Sequence, residues 1–316
     1  MKKWTLALVA AAVLAGCNGV STQNEASNQT IAGLPLIEEV KVAEGKTVIP
    51  YKKFQLDNGL TVILHKDTSD PLVHVDVTYH VGSGREEIGK SGFAHFFEHM
   101  MFQGSENVAD EEHFKIITEA GGTLNGTTNS DRTNYFETVP ANQLEKMLWL
   151  ESDRMGFLLD AVTQEKFEVQ RETVKNERGQ RVDNRPYGRL NERVSAALYP
   201  EGHPYSWPVI GFMEDLNRVN VNDLKAFFLR WYGPNNATLT IGGDIDEAET
   251  LAMVQKYFGS IPKGPEVDMP KKPKVTLNED RYISMEDNVH LPLLYMTFPT
   301  VSVRHEDEAP LDLLSQ

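Results

Sequence analysis

The sequence predicts a mixed α/β (α+β) domain, on three observations. A hairpin signal lies at 54–64, strict apolar alternation runs through 73–81, and helical periodicity recurs across 140–180 and 221–258. The 316 residues are 40% hydrophobic and 24% charged, which suits one large globular domain or two smaller ones. Acidic residues outnumber basic ones, 46 to 31. That net charge of -15 disfavours nucleic acid as a partner, because phosphate binding needs a concentrated basic surface.

The elements read in chain order. Phe54–Leu64 reads as two strands joined by Asn58-Gly59, a dipeptide that tolerates the positive φ of tight hairpin turns. Val73–Val81 (VHVDVTYHV) alternates as a half-buried strand does. A helix follows from about Ser91 to Met101, then a second with Asp110 as its N-cap and Gly121-Gly122 at its end. Thr123–Val139 reads as two strands around Asn129-Ser130-Asp131. Pro140 opens a helix reaching about Leu158, with Leu144, Met147, Leu148 and Glu151 at helical spacing, and Thr163 caps the next. Val221–Trp231 and Asp246–Phe258 read as helices either side of a strand at Asn236–Ile241. Four prolines in 260–275 mark a linker, so the expected domain spans 45–262 with the linker at 263–278. Residues 279–316 then read as the start of a second, incomplete domain, with an apolar strand at Val289–Phe298 and a helical turn at Pro310–Leu314.

The first residues are a targeting signal rather than fold. Lys2 and Lys3 precede an apolar run from Leu6 to Leu14, too short to span a bilayer. Leu14-Ala15-Gly16-Cys17 resembles the lipobox of bacterial lipoproteins, which implies a signal peptide at 1–16 and lipidation of Cys17. Asn18, rather than aspartate, points by the same resemblance to the outer membrane, facing the periplasm. Residues 17–44 read as a flexible polar tether. Cys17 is the only cysteine, so no intramolecular disulfide forms.

The chemistry concentrates at His95-Phe96-Phe97-Glu98-His99. Histidines four apart in a helix share one face, and their nitrogens can grip one zinc ion. Glu98 projects near that face, within reach of a metal-bound water as its general base. This is the H-x-x-E-H order of one class of zinc peptidases. Phe93, Phe96, Phe97, Met100 and Met101 make the helix apolar nearly all round, so the histidines and glutamate should be buried and in need of partners. A third ligand is required. Glu165, Glu168, Glu172 and Glu177 on the 163–180 helix are all chemically suitable, and spacing alone does not choose among them.

Four stretches resemble the pitrilysin/insulinase family (M16) of zinc metallopeptidases: GKSGFAHFFEHMMFQGS at 89–105, AGGTLNGTTNSDRTNYFETVP at 120–140, QRETVKNERGQRVDNRPYG at 170–188 and FFLRWYGPNNATLTIGGD at 227–244. The resemblance implies a sheet flanked by helices, followed by a second domain of similar fold. It implies one Zn2+ per chain and a ligand glutamate seventy-odd residues after the second histidine. Glu177 matches through Arg171, Val174 and Glu177 in R-x-x-V-x-x-E, with Glu172 as runner-up. It further implies an edge strand at Gly122–Thr128 that pairs with short or unfolded polypeptide substrates, and a substrate contact from Asn125. On the residues alone, Asn125-Gly126 is equally a turn or bulge pair. Family members complete the site with an arginine and a tyrosine from a later domain. Those would come from the rest of a longer protein or from a second family subunit. The expected activity is metalloendopeptidase; the alternatives are a non-catalytic peptide-binding or scaffold subunit, and a zinc hydrolase of non-peptide substrates.

Overall fold

A computed structural model describes residues 29–42, 44–45, 48–268 and 272–315. The signal peptide, Cys17 and the first part of the tether lie outside the described residues. Order begins earlier than the tether reading allows. Thr30–Ile31 (β1) and Leu34–Pro35 (β2) pair as a small ribbon, and Glu38–Val40 (β3) joins the main sheet. Leu34 and Leu36 are buried, and Gln255 Nε2 donates to the Ala32 carbonyl, so a few apolar side chains suffice to dock this polar stretch.

The main sheet adds Tyr51–Gln55 (β4), Thr61–Lys66 (β5) and Leu72–Tyr79 (β6). The Asn58-Gly59 turn joins β4 to β5 as the sequence suggests, with Gly59 at φ 90°. Asn58 is itself buried, and its amide donates to the carbonyls of Phe258 (2.8 Å) and Ile261 (2.9 Å). After β6 come helices Phe93–Met100 (α1) and Glu112–Glu119 (α2). Asp110 does not cap α2: Glu111 takes the N-cap position in the left-handed region, and no side chain caps the helix. Thr123–Thr128 (β7) and Thr133–Pro140 (β8) follow, joined by a turn in which Asn129 Oδ1 accepts from the Asp131 and Arg132 amides.

Pro140 ends β8 rather than opening a helix. It pairs with Leu72 at the strand terminus, where a missing N–H costs no ladder bond. A short 3-10 turn then leads into Leu144–Ala161 (α3) and, capped by Thr163, Gln164–Arg178 (α4). Leu190–Leu198 (α5), Met213–Arg218 (α6), Val221–Trp231 (α7), Ala237–Gly243 (β9) and Glu247–Phe258 (α8) complete the unit, and Glu308–Leu314 (α9) stands beyond the linker. No strand forms at Val289–Phe298, and Leu291, Leu294 and Phe298 are exposed. A strand exists only against a neighbour, and none pairs with it among the described residues.

Strand order is β3-β4-β5-β9-β6-β8-β7, antiparallel except for β5 against β9. Val73, Val75, Val77 and Tyr79 of β6 point into the core, and helices flank that face. The core contains one charged knot. Arg154 and Glu151 of α3 are ion-paired and almost fully buried, with His113 Nε2 3.5 Å from Glu151. The Arg154 guanidinium lies 4.3 Å over the Tyr135 ring. Burial, reinforced by the Glu151 carboxylate beside it, pushes the Glu137 carboxyl well above its usual range. Removing one partner leaves the other charge buried and alone. Arg154→Met should therefore cost about 3–5 kcal/mol in urea unfolding; a loss below about 1 kcal/mol would show that Glu151 finds another partner.

Candidate metal centre

Helix α1 is held from both sides. Phe96 packs edge-on to Phe167 of α4 (5.0 Å), and Phe97 stacks on Phe228 of α7 (5.1 Å). Its start is sealed by Glu86, whose carboxylate accepts the amides of Gly92 (2.9 Å) and Ala94 (2.8 Å) as well as Trp207 Nε1 (3.1 Å). A carboxylate there satisfies orphan amides and suits the positive end of the helix dipole. Burial nevertheless pushes Glu86 up to about 8. With the aromatic face committed to the core, His95, Glu98 and His99 are left on the remaining, half-buried face.

The two imidazoles stand edge to face, with ring centroids 4.8 Å apart. Glu177, from the last turn of α4, meets both: its Oε2 lies 3.6 Å from His95 Nε2 and 3.2 Å from His99 Nε2. Its other oxygen, Oε1, takes Arg181 at 2.7 Å. The remaining glutamates of that helix turn elsewhere. Glu172 is exposed and paired with Lys175, Glu168 pairs with Arg171, and Glu165 is exposed. Among the described residues, His95, His99 and Glu177 are the one group of side chains placed to share an ion.

The residues fit zinc on three counts. Ligands about 2.0–2.1 Å from a tetrahedral ion lie about 3.3–3.4 Å from one another, and the two nitrogen–oxygen separations bracket that spacing. The buried His95 Nδ1 has no hydrogen-bond partner, and its Nε2 has only the distant Glu177 oxygen. Burial, helped by the neighbouring His99, pushes His95 down to about 4, so the ring is neutral with a lone pair free to donate. Glu177 is likewise held below its ordinary value, chiefly by its hydrogen bond with His99, which favours the carboxylate.

Glu98 sits beside this set and outside it. The Thr128 hydroxyl donates to its Oε2, and a Cβ on Gly126 would come within 3.2 Å of its Cγ, so glycine lets β7 approach closely without crowding Glu98. Burial raises the Glu98 carboxyl above its ordinary value, and the Thr128 bond partly offsets the shift. β7 is the edge of the sheet, and its outer side is unpaired among the described strands. Asn125 lies exposed on it, its Oδ1 accepting the Gly126 amide. Sequence reasoning missed Glu86, Thr128 and Arg181. Only Arg181 left a signal, four residues after Glu177 at ion-pair spacing.

Two imidazoles one helical turn apart, a carboxylate converging from a second helix and a further glutamate alongside form a candidate metal centre. The chain belongs to the insulinase family, peptidase family M16: residues 61–208, which hold the whole centre, match that family, and residues 218–316 match the peptidase M16 inactive domain. It is 33% identical over 271 residues to the zinc protease PqqE of Helicobacter pylori, covering 84% of this chain and 60% of that protein. The crystal structure of a protease from Helicobacter pylori matches with a TM-score of 0.68 at 33% identity, over 73% of this chain and 55% of that one. The first half of the periplasmic protease PqqL from Escherichia coli matches with a TM-score of 0.63 at 25% identity, over 71% and 48%. The chain thus spans about half to three-fifths of these relatives. Residues 1–18 match a prokaryotic membrane lipoprotein lipid attachment site. No helix among the described residues is long and apolar enough to cross a membrane.

If Glu177 is the third ligand, Glu177→Gln should weaken zinc binding by about tenfold or more in a chelator competition, because a neutral amide replaces the anionic oxygen. Glu172→Gln should match the parent. The reverse ranking would transfer the role to Glu172.

Proposed function

We propose that this chain is a zinc-dependent metalloendopeptidase, with one Zn2+ held by His95, His99 and Glu177 and with Glu98 as general base. The observation that carries the reading is the approach of one Glu177 oxygen to both imidazole nitrogens, with the Glu98 carboxylate on the same helix face. Zinc bound there would acidify a water and polarise a peptide carbonyl. Glu98 takes the proton from the attacking water on a carboxylate oxygen and returns it to the leaving nitrogen. Its raised pKa makes it a stronger base than an exposed carboxylate, and Thr128 fixes Oε2 so that Oε1 is free for the transfer.

The free edge of β7 suits an extended peptide, bound by main-chain hydrogen bonds largely independent of side-chain identity. Asn125, exposed on that edge, would contact the substrate backbone. Such a mode selects short or unfolded polypeptides, since a folded substrate offers no free strand. A second family subunit or a downstream half would supply the groups that stabilise the oxyanion. Cys17 would carry the lipid anchor, placing the domain on the periplasmic side of the outer membrane. The periplasmic Escherichia coli neighbour and the lipid attachment site support that placement.

Glu98→Gln tests the assignment in the full-length protein. Zinc content should stay at the parent's level while peptide turnover falls by at least about 100-fold. Turnover that survives the substitution would remove Glu98 from the chemistry.

A further inference from the structure

Glu177 and Arg178 are consecutive in α4, so their side chains leave the helix about 100° apart and serve different neighbours. Arg178 is 5% exposed and reaches three separate segments. Its Nη1 donates to the Gly211 carbonyl at 2.7 Å and to Glu192 of α5 at 2.5 Å. Its Nη2 reaches Glu192 and Asp183, each at 3.3 Å. Asp183 closes a single π-helical turn, Gly179–Asp183, in which the Asn184 amide donates to the Gly179 carbonyl. Such wide turns are rare and are frequently found at functional sites.

Gly211 carries the connection onward to α1. A Cβ on Gly92, the N-cap of α1, would lie 2.9 Å from the Gly211 Cα, so the two backbones touch with no side chain between them. Ser91 locks the contact: its hydroxyl accepts the Phe212 amide at 2.9 Å and donates to Asp215 at 2.6 Å. His95 follows three residues after Gly92. One guanidinium thus ties the end of the helix that carries Glu177 to the start of the helix that carries both histidines, through backbone contacts that have little room to flex.

We infer that Arg178 is a positioning residue that sets Glu177 at the distance from His95 and His99 which a shared metal ion requires. The inference rests on the zinc reading above and deepens it. A buried arginine with this many partners also stabilises the fold, so the test must separate position from stability.

The experiment measures the zinc dissociation constant of the whole protein by competition with a chromophoric chelator, at a temperature where circular dichroism shows every variant folded. Arg178→Gln removes the clamp. Arg178→Lys keeps the charge but can serve only part of the fork, and Glu192→Gln weakens the clamp from the other side. Asn58→Ala, which cuts buried hydrogen bonds at the far hairpin, controls for general destabilisation. Arg178→Gln should raise the dissociation constant by about 10–100-fold, with the two milder variants in between. Asn58→Ala should stay within about twofold of the parent while losing thermal stability. The visible spectrum of the Co2+-substituted protein should also change in Arg178→Lys and not in Asn58→Ala. Folded Arg178 and Glu192 variants that bind zinc as the parent does would overturn the inference and leave the metal site standing. So would an equal loss of affinity in Asn58→Ala. A parent that binds no zinc would instead sink the metal reading, and this inference with it.

Discussion

Everything in this domain serves the meeting of two helices at one carboxylate oxygen. Glu177 Oε2 stands within 3.6 Å of His95 Nε2 and 3.2 Å of His99 Nε2. Left to itself, the neutral His95 imidazole has given up water for little return, since its Nδ1 has no hydrogen-bond partner and its Nε2 only a distant carboxylate oxygen. A divalent ion reverses that balance, because it uses both lone pairs and the negative charge at once. The unfavourable state of His95 without metal, together with the convergence of one Glu177 oxygen on both rings, is the physical ground for regarding them as a metal site.

The fold supplies the alignment. Aromatic packing on the buried face of α1 fixes its rotation, so the histidines have only one direction in which to point. Glu86 fixes its start and Asp153 holds the loop beyond its end, accepting from the Ser105 hydroxyl and from Asn107. The sheet contributes from the other side. Its edge strand brings Thr128 to Glu98, and Gly126 allows the approach. The Glu98 carboxylate is thereby tied to the strand proposed to receive the peptide, which would keep the proposed base and substrate in a common frame.

Much of this was legible in the sequence, for reasons that also explain the rest. The H-x-x-E-H spacing and the Asn58-Gly59 hairpin depend on contacts within a few residues, and local periodicity reports those faithfully. Periodicity could not choose among Glu165, Glu168, Glu172 and Glu177, because it orders residues around their own helix and says nothing of where another helix docks. The family resemblance pointed to Glu177, and the structure shows why such a choice needs the tertiary fold: the docking rests on Phe96 against Phe167. Thr30–Val40 looked like tether because few apolar residues hold it, yet Leu34 and Leu36 are enough. Val289–Phe298 has the composition of a strand but, among the described residues, no neighbour to make it one. Arg178 acts mainly through Glu192 and Gly211, and Thr128 through Glu98, all well away in the chain, and no local pattern marks them.

The most direct test is crystallographic. Crystals of the zinc-loaded protein, with data collected on both sides of the zinc absorption edge, should show one anomalous peak per chain, within about 2.0–2.2 Å of His95 Nε2, His99 Nε2 and one oxygen of Glu177. A zinc-loaded crystal with no peak there, or with the ion on other side chains, would contradict the account at its centre.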